Sequence, residues 1–133
     1  MKEPVWIRES VLLAVQEDLL ARFGGLSGLR DAGLLNSALS RPRNRFAYEK
    51  STILDLAAEY ALGIVKNHPF LDGNKRAGFM ASYIFLGANG MSLSAPEEEV
   101  VVYTLGLAAG EIGNADYAAW LERSCTANSL CIN

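Results

Sequence analysis

The chain has 133 residues, of which 50% are hydrophobic and 20% are charged, a size and composition that predict one globular domain. Its 15 acidic and 12 basic residues give a net charge of −3, which disfavours a protein that binds nucleic acid non-specifically. Both cysteines, Cys125 and Cys131, lie near the end, so we expect no disulfide framework and a reducing, cytoplasmic location. With one histidine and two late cysteines, no zinc site is expected. No signal-peptide core and no long apolar run occurs, so we expect no membrane span.

Two helices are predicted in the first third of the chain. Apolar residues at helical spacing predict a helix over about 9–23, which Gly24 ends. Asp31 is a candidate N-cap for a short second helix over about 32–40. Pro42 follows it at once, and the sequence therefore predicts that the helix stops there.

The segment 40–50, SRPRNRFAYEK, is basic and aromatic, and it is predicted to be a surface loop. It is either a solvated linker or a flap that contacts a substrate or partner. The side chains that such a flap would present are Arg41, Arg43, Arg45, Phe46 and Tyr48.

Two long apolar segments follow, over about 52–67 and 74–89. The first is apolar on nearly every side, which is typical of a central helix, and Pro69 ends it. Both segments carry small residues, which permit close approach of neighbouring helices. We expect the two helices to pack antiparallel, joined by the loop 68–73.

In the last part of the chain, the sequence predicts a short strand at 91–93 and a helix over about 96–109. A final helix is predicted to begin at Asn114, which would cap it. The residues after Arg123 show no periodicity, and 124–133 is expected to be a flexible tail.

The stretch NHPFLDGNKRAG, residues 67–78, has the features of an anion site. Lys75 and Arg76 fall in the first turn of a helix, where each cation is unfavourable by about 0.3–1 kcal/mol because of the helix dipole. A bound anion would remove that conflict, since the cations and the free N–H groups would converge on it. Gly73 allows close approach of the backbone and Asn74 tolerates a tight turn. The spacing is not that of a Walker motif.

Asp72 and His68 are candidates for metal binding and for proton transfer at this anion site. A carboxylate beside phosphates commonly holds Mg²⁺, although Asp72 could instead cap the helix or pair with Arg76. His68 could take a proton from an attacking hydroxyl group, although a lone histidine is often structural. Phe70 and Leu71 are candidate anchors, of which one or both should point into the core.

These residues predict a Mg²⁺-dependent phosphoryl or nucleotidyl transferase that acts on a hydroxyl group. A metal-assisted nuclease is the weaker rival, because the second acid or histidine that such a site needs is missing. A nucleic-acid-binding role for the three arginines at 41–45 is a further alternative, which the net negative charge disfavours.

The string HPFLDGNKR at 68–76 resembles the signature of the Fic/Doc family, specifically its Doc (death-on-curing) branch. The segments 22–49 and 106–112 are also similar to Doc-like sequences. The resemblance implies a compact all-α Fic-type bundle of about six helices with two central antiparallel helices. Residues 1–123 would form a single Fic/Doc domain with the motif in the loop between the central helices.

The resemblance also implies roles for individual residues. His68 would be the general base, and Asp72 would ligate Mg²⁺. Gly73, Asn74, Lys75 and Arg76 would form the anion hole for the phosphates of ATP or another nucleoside triphosphate. The segment 41–48 would be the flap that docks the target polypeptide.

One position of the motif distinguishes two activities in the family. Adenylyl-transferring members typically carry glycine where this chain has Lys75, and a second arginine where it has Phe79. Doc-like members carry the lysine and are associated with phosphoryl transfer. Met80 departs from the pattern, because a polar residue can occur near this position. The resemblance therefore favours a kinase-like activity, with adenylyl transfer (AMPylation) as the alternative.

The resemblance further implies a toxin of a type II toxin–antitoxin system that modifies a translation elongation factor of the Tu type and arrests growth. Its partner would be a small antitoxin with an inhibitory C-terminal helix, and DNA would be bound only through that antitoxin. A catalytically inactive module that binds the antitoxin or acts as a co-repressor is the remaining alternative.

Overall fold

The computed structural model describes residues 2–127, which form six helices and one two-stranded sheet. The helices are α1 (Glu9–Phe23), α2 (Ala32–Tyr48), α3 (Ile53–Asn67), α4 (Asn74–Ala88), α5 (Glu97–Ala109) and α6 (Asn114–Ser124), and the strands are β1 (Met91–Leu93) and β2 (Cys125–Ala127). The prediction of an all-α bundle of about six helices is confirmed. Within the described range, no helix is both long enough and apolar enough to cross a membrane.

Helix α3 is the centre of the bundle and packs against α2, α4, α5 and α6. A capping box between Thr52 and Asp55 begins it: the Thr52 hydroxyl accepts from the Asp55 N–H, and the Asp55 carboxylate accepts from the Thr52 N–H. Its fully buried apolar residues occupy several faces and are Leu56, Ala57, Ala58, Tyr60, Ala61, Ile64 and Val65. A helix of this composition is stable only when neighbours cover it on every side.

Helices α3 and α4 are antiparallel and in close contact. A Cβ atom added at Gly78 would lie 2.8 Å from Val65 Cγ1 and 3.2 Å from the Ala61 carbonyl oxygen, so a larger residue would push the helices apart. The Ser82 hydroxyl donates to the Ala57 carbonyl at 2.6 Å. Later residues of α4 thus meet earlier residues of α3, which confirms the predicted antiparallel pair.

Helix α2 is longer than predicted. Asp31 caps it as expected, because its carboxylate accepts from the Leu34 N–H at 3.0 Å. The helix does not stop near residue 40, however, but continues through a buried Pro42 to Tyr48. A proline inside a helix is unfavourable by about 3 kcal/mol. Tertiary contacts of the following turn therefore outweigh the local stop signal.

The prediction of a loop at 40–50 that serves as a docking flap was wrong in its conformation. All five proposed flap residues lie on α2: Arg41, Arg43, Arg45, Phe46 and Tyr48. The ring of Phe46 packs edge-on against Trp6 at 5.7 Å, and the Arg43 guanidinium lies over the same indole at 5.5 Å. Tyr48 is almost fully exposed, and the Arg41 and Arg43 side chains are exposed as well. The segment is part of the packed bundle.

Arg41 and Arg45 hold α2 against α3 through a nearly buried carboxylate, Glu59. The Arg41 Nε lies 3.0 Å from Glu59 Oε2, and the Arg45 Nη1 lies 3.3 Å from Oε1.

Asn114 was predicted to cap α6, but Gly113 occupies the N-cap position. The Asn114 amide instead donates to Glu59 Oε1 at 3.0 Å and accepts from Arg45 at 2.8 Å, which ties α6 into the same network.

Removing the Glu59 carboxylate should destabilise the protein strongly. We expect Glu59→Ala to lower the free energy of unfolding by about 2–3 kcal/mol, because it leaves the partly buried Arg45 guanidinium with only the more distant, exposed Glu49 carboxylate at 3.9 Å as its counter-charge. Glu59→Gln keeps the shape and one acceptor oxygen, so it should lose less. Urea denaturation of the three proteins measures both values. A loss below about 0.5 kcal/mol for Glu59→Ala, the range of an ordinary surface substitution, would contradict the structural role of this network.

The end of the described chain also differs from the prediction. Residues 125–127, expected to be flexible, form β2 and pair antiparallel with β1, with Met91 opposite Ala127 and Leu93 opposite Cys125. The Ser94 N–H donates to the Ser124 carbonyl at 2.9 Å and extends this pairing. The remainder of the predicted tail, 128–133, lies outside the described residues.

Candidate active site

The loop 68–73 connects the C-terminal end of α3 with the N-terminal end of α4, and His68 begins it. His68 has φ 50° and ψ 56°, and it is the one non-glycine residue with positive φ among residues 2–127. Its side chain is exposed. Phe70 is buried as an anchor, as predicted, whereas Leu71 is half exposed. The loop is therefore fixed at its centre and presents the imidazole at its start.

Asn74 braces the loop with its side chain. Its Oδ1 accepts from the Phe70 N–H and its Nδ2 donates to the Phe70 carbonyl, both at 3.0 Å, which fixes the orientation of the amide. The second Nδ2 hydrogen faces His68 Nδ1 at 3.4 Å, a contact longer than a strong hydrogen bond. This contact favours the ring form with a lone pair on Nδ1. The Asn74 side chain is thus engaged within the loop, and its backbone N–H is the group that it can offer to an anion.

The Asp72 carboxylate lies on the α1 side of the loop. Its Oδ1 accepts from the Gly73 N–H at 2.9 Å, and its Oδ2 accepts from the Leu26 N–H at 3.3 Å. A Cβ atom at Gly25, which has φ 122°, would lie 2.9 Å from Asp72 Oδ2. Glycine at position 25 therefore allows the segment after α1 to approach the carboxylate. No ion pair with Arg76 is present among residues 2–127, and Gly73 rather than Asp72 is the N-cap of α4.

Gln16 of α1 supports the backbone at the same point. Its Nε2 donates to the Asp72 carbonyl at 2.7 Å, and its side chain is almost fully buried. Its Oε1 is buried and has no hydrogen-bond partner among the described residues. Burying a polar atom without a hydrogen bond is unfavourable. The bond that the amide nitrogen of the same side chain makes is the one that fixes the backbone of Asp72.

The first turn of α4 carries the two predicted cations, Lys75 and Arg76, and both are exposed. The first backbone hydrogen bond of the helix runs from the Ala77 N–H to the Gly73 carbonyl, so the preceding N–H groups are not used by the helix. Gly73 has φ 75°, a left-handed conformation that suits glycine. The Arg76 guanidinium lies 4.3 Å from the centre of the Phe23 ring, where it gains a cation–π contact.

A cavity of about 720 Å³ opens beside this turn, between α4, α5, the end of α1 and the end of β1. Residues 72–76 form its polar end. The other lining side chains are mainly apolar: Leu19, Phe23, Phe79, Met80, Tyr83, Leu93, Ala95, Val100, Val101 and Leu105, with Ser94, Glu97 and Thr104 among them. His68 does not line this cavity but lies next to Asn74, at the other side of the loop.

The structure therefore brings together most of the predicted site residues. His68, Asp72, Gly73, Asn74, Lys75 and Arg76 lie on one loop and one helix turn. The predicted flap residues at 41–48 belong to α2 and do not line the cavity.

Sequence reasoning missed two supporting side chains, Gln16 and Arg30. Gln16 is detectable in principle, since it is a polar residue on the apolar face of the first helix, four positions after Leu12. Arg30, whose guanidinium donates to the His68 carbonyl at 2.7 Å, lies in a loop without periodicity, and no local sequence pattern distinguishes it.

The residues present fit a magnesium ion bound together with phosphates. No cluster of three or more histidine, cysteine or acidic residues exists in the range 2–127, so a cage built by the protein alone is absent there. Mg²⁺ is commonly held by one or two carboxylates, with substrate phosphates and water completing its shell. Asp72 supplies one carboxylate directly before the cationic turn, which suits that mode.

Comparison with known proteins gives consistent matches. Residues 6–86 match the model of the Fic/DOC family. The chain is similar to the protein kinase Doc of Escherichia phage P1, with 33% identity over 113 residues that cover 84% of this chain and 89% of the relative. It is also similar to the toxin Doc of Mycolicibacterium smegmatis, with 38% identity over 88 residues that cover 60% of this chain and 66% of the relative.

Proposed function

The chain belongs to the Fic/Doc family, and we propose that it is the toxin of a type II toxin–antitoxin system that phosphorylates a protein. It transfers the γ-phosphoryl group of ATP, or of another nucleoside triphosphate, to a hydroxyl group of a translation elongation factor of the Tu type. The observation that carries this proposal is the meeting of His68, Asp72 and the cationic first turn of α4 at one short loop.

The names of the relatives agree with this activity. One relative is named a protein kinase and the other a toxin, and this chain spans 89% of the length of the first. The match covers both central helices and the loop between them. This similarity supports a toxin with a cognate antitoxin, and the name of the phage relative favours phosphoryl transfer.

His68 acts as the general base of the proposed reaction. It takes the proton of the target hydroxyl while the hydroxyl oxygen attacks the γ-phosphorus. The bond between the γ-phosphorus and the bridging β–γ oxygen breaks, and the nucleoside diphosphate leaves. The proton is accepted by the lone pair of Nδ1, and the target hydroxyl can displace the weak 3.4 Å contact that Asn74 makes with this atom.

The N-terminal end of α4 binds the phosphates. Its unused N–H groups and the positive end of its dipole attract an anion, and the side chains of Lys75 and Arg76 add two cations. Asp72 would hold Mg²⁺, which when bound neutralises charge on the phosphate oxygens. Gln16 holds the backbone of Asp72 in place for this role. The apolar part of the cavity receives the nucleoside.

Phosphoryl transfer is favoured over adenylyl transfer by the charges that line the cavity. Its cations are Lys75 and Arg76, both in the first turn of α4. Phe79, one turn further along, lines the cavity with an aromatic ring. The family resemblance implies that adenylyl-transferring members carry a second arginine at this position, which would clamp the outer phosphates. Without that clamp, the γ-phosphate is free to lie at the loop, next to His68.

The antitoxin is proposed to cover the same region. Exposed apolar side chains lie along α4 and α5 at Tyr83, Val101 and Leu105, and they border the cavity. Such a surface suits the apolar face of an amphipathic helix. A C-terminal antitoxin helix seated there would close the nucleotide site, and any binding to DNA would occur through the antitoxin.

The position of the radioactive label in ATP tests the reaction. With purified elongation factor, Mg²⁺ and this protein, label from γ-³²P-ATP should appear in the factor, whereas label from α-³²P-ATP should not. Transfer from the α-labelled nucleotide would instead establish adenylyl transfer. No transfer of either label, together with normal growth of cells that express the chain alone, would identify an inactive module that binds the antitoxin.

A further inference from the structure

The backbone of His68 is held from outside its own loop, by the segment 28–31. The Arg30 and Asp31 N–H groups donate to the Pro69 carbonyl at 2.7 and 3.1 Å, and the Leu71 N–H donates to the Gly28 carbonyl at 3.1 Å. Leu29 and Phe70 form an isolated antiparallel bridge. The segment between α1 and α2 is thus bound along the start of the motif loop.

Arg30 also reaches the same loop with its side chain. Its Nε donates to the His68 carbonyl at 2.7 Å, and its Nη2 donates to the Asn67 carbonyl at 2.8 Å. These carbonyls lie at the C-terminal end of α3, where the helix dipole is negative and a cation is favoured. A guanidinium can donate to both at once because its donors form a rigid fork.

The left-handed conformation of His68 requires such support. For a residue with a Cβ atom this conformation is unfavourable by about 1–2 kcal/mol, and it persists only where surrounding contacts impose it. It is also the conformation in which the imidazole faces Asn74 and the start of α4. A change at this one backbone position would turn the ring away from the loop.

We propose that Arg30 is a positioning residue for His68: its guanidinium holds the left-handed backbone at the end of α3 and so directs the imidazole toward the phosphate-binding turn. Arg30 does not line the cavity that is proposed to bind the nucleotide, and it acts through the backbone of His68. The kinetic part of its test rests on the proposed phosphotransfer, whereas the spectroscopic part does not.

The spectroscopic test uses the fact that the chain contains a single histidine. In Arg30→Met, which keeps an unbranched stem but removes the donors, the His68 Cα shift and the H–N–Cα–H coupling should leave the values of a left-handed residue. Arg30→Lys retains one donor nitrogen in place of the guanidinium fork and should give an intermediate change. Arg22→Met is the matched control, since the polar contact that Arg22 makes within residues 2–127 is an exposed ion pair with Asp18. Unchanged His68 signals in Arg30→Met would overturn the proposal.

The kinetic test asks whether Arg30 acts through His68. We expect Arg30→Met to lower kcat by about 10- to 100-fold, with KM for ATP unchanged, because a displaced catalytic group loses orientation but not nucleotide binding. In a His68→Asn background the same change should have almost no further effect. Losses that multiply in the double variant would show that Arg30 acts independently of His68 and would refute the proposal.

Folding and function can be separated in this experiment. Circular dichroism and thermal melting establish that each variant is folded, and Arg30→Lys carries both tests if Arg30→Met does not fold. If the wild-type protein transfers no phosphate, the proposed function fails, yet the His68 signals in the Arg30 variants still decide whether Arg30 sets the backbone conformation.

Discussion

Replacing His68 with asparagine should lower the rate of phosphoryl transfer by about 10²- to 10⁴-fold, the usual contribution of a general base. Asparagine is the informative choice because it tolerates the left-handed conformation that His68 adopts. The variant should therefore keep the loop, including the bonds from Arg30 to the carbonyls of residues 67 and 68. The nucleotide should bind as before, since His68 does not line the cavity.

Single-turnover transfer from γ-³²P-ATP measures the loss in His68→Asn, and calorimetry measures the affinity for ATP. His68→Ala serves as the comparison. Alanine is less suited to a left-handed backbone, so this variant should lose stability as well as activity. A His68→Asn protein that transfers phosphate within about tenfold of the wild-type rate would fall short of the expected general-base effect and remove His68 from the mechanism.

Asp72→Asn should be the second most damaging change. We expect a loss of about 10²- to 10³-fold in transfer, because a metal ion contributes several kcal/mol of charge stabilisation and asparagine is a poor ligand for it. The loop should survive the change, since the amide oxygen can still accept from the Gly73 N–H and only the longer bond from the Leu26 N–H, at 3.3 Å, is lost. Gln16 bonds to the backbone of residue 72 and is not affected.

The dependence on Mg²⁺ distinguishes a metal ligand from a structural acid. The Mg²⁺ concentration that gives half-maximal rate should rise in Asp72→Asn, and the affinity for the Mg²⁺–nucleotide complex should fall toward that for nucleotide alone. Asp18→Asn is the control, because Asp18 is an exposed acid whose ion pair is with Arg22 on α1. An unchanged Mg²⁺ requirement in Asp72→Asn would assign the metal to other groups.

Two of the corrections to the predicted elements, the length of α2 and the strand at 125–127, share one cause. Pro42 is a local stop signal, but α2 passes through it because Phe46 packs on Trp6 and Arg45 pairs with Glu59. Residues 125–127 have no pattern of their own, yet they pair with β1. In both cases the stabilising partner lies far away in the sequence, where local propensity carries no information about it.

The central helices, the loop between them and the cations in the first turn of α4 are all predictable from the sequence. These features depend on apolar periodicity and on Pro69 and Gly73, which act within a few residues of where they stand. The contacts by which Glu59 anchors α2, Gln16 holds Asp72 and Arg30 holds His68 are visible only in the folded protein. Each of these contacts joins different parts of the fold, and its energy exists only once the helices have packed.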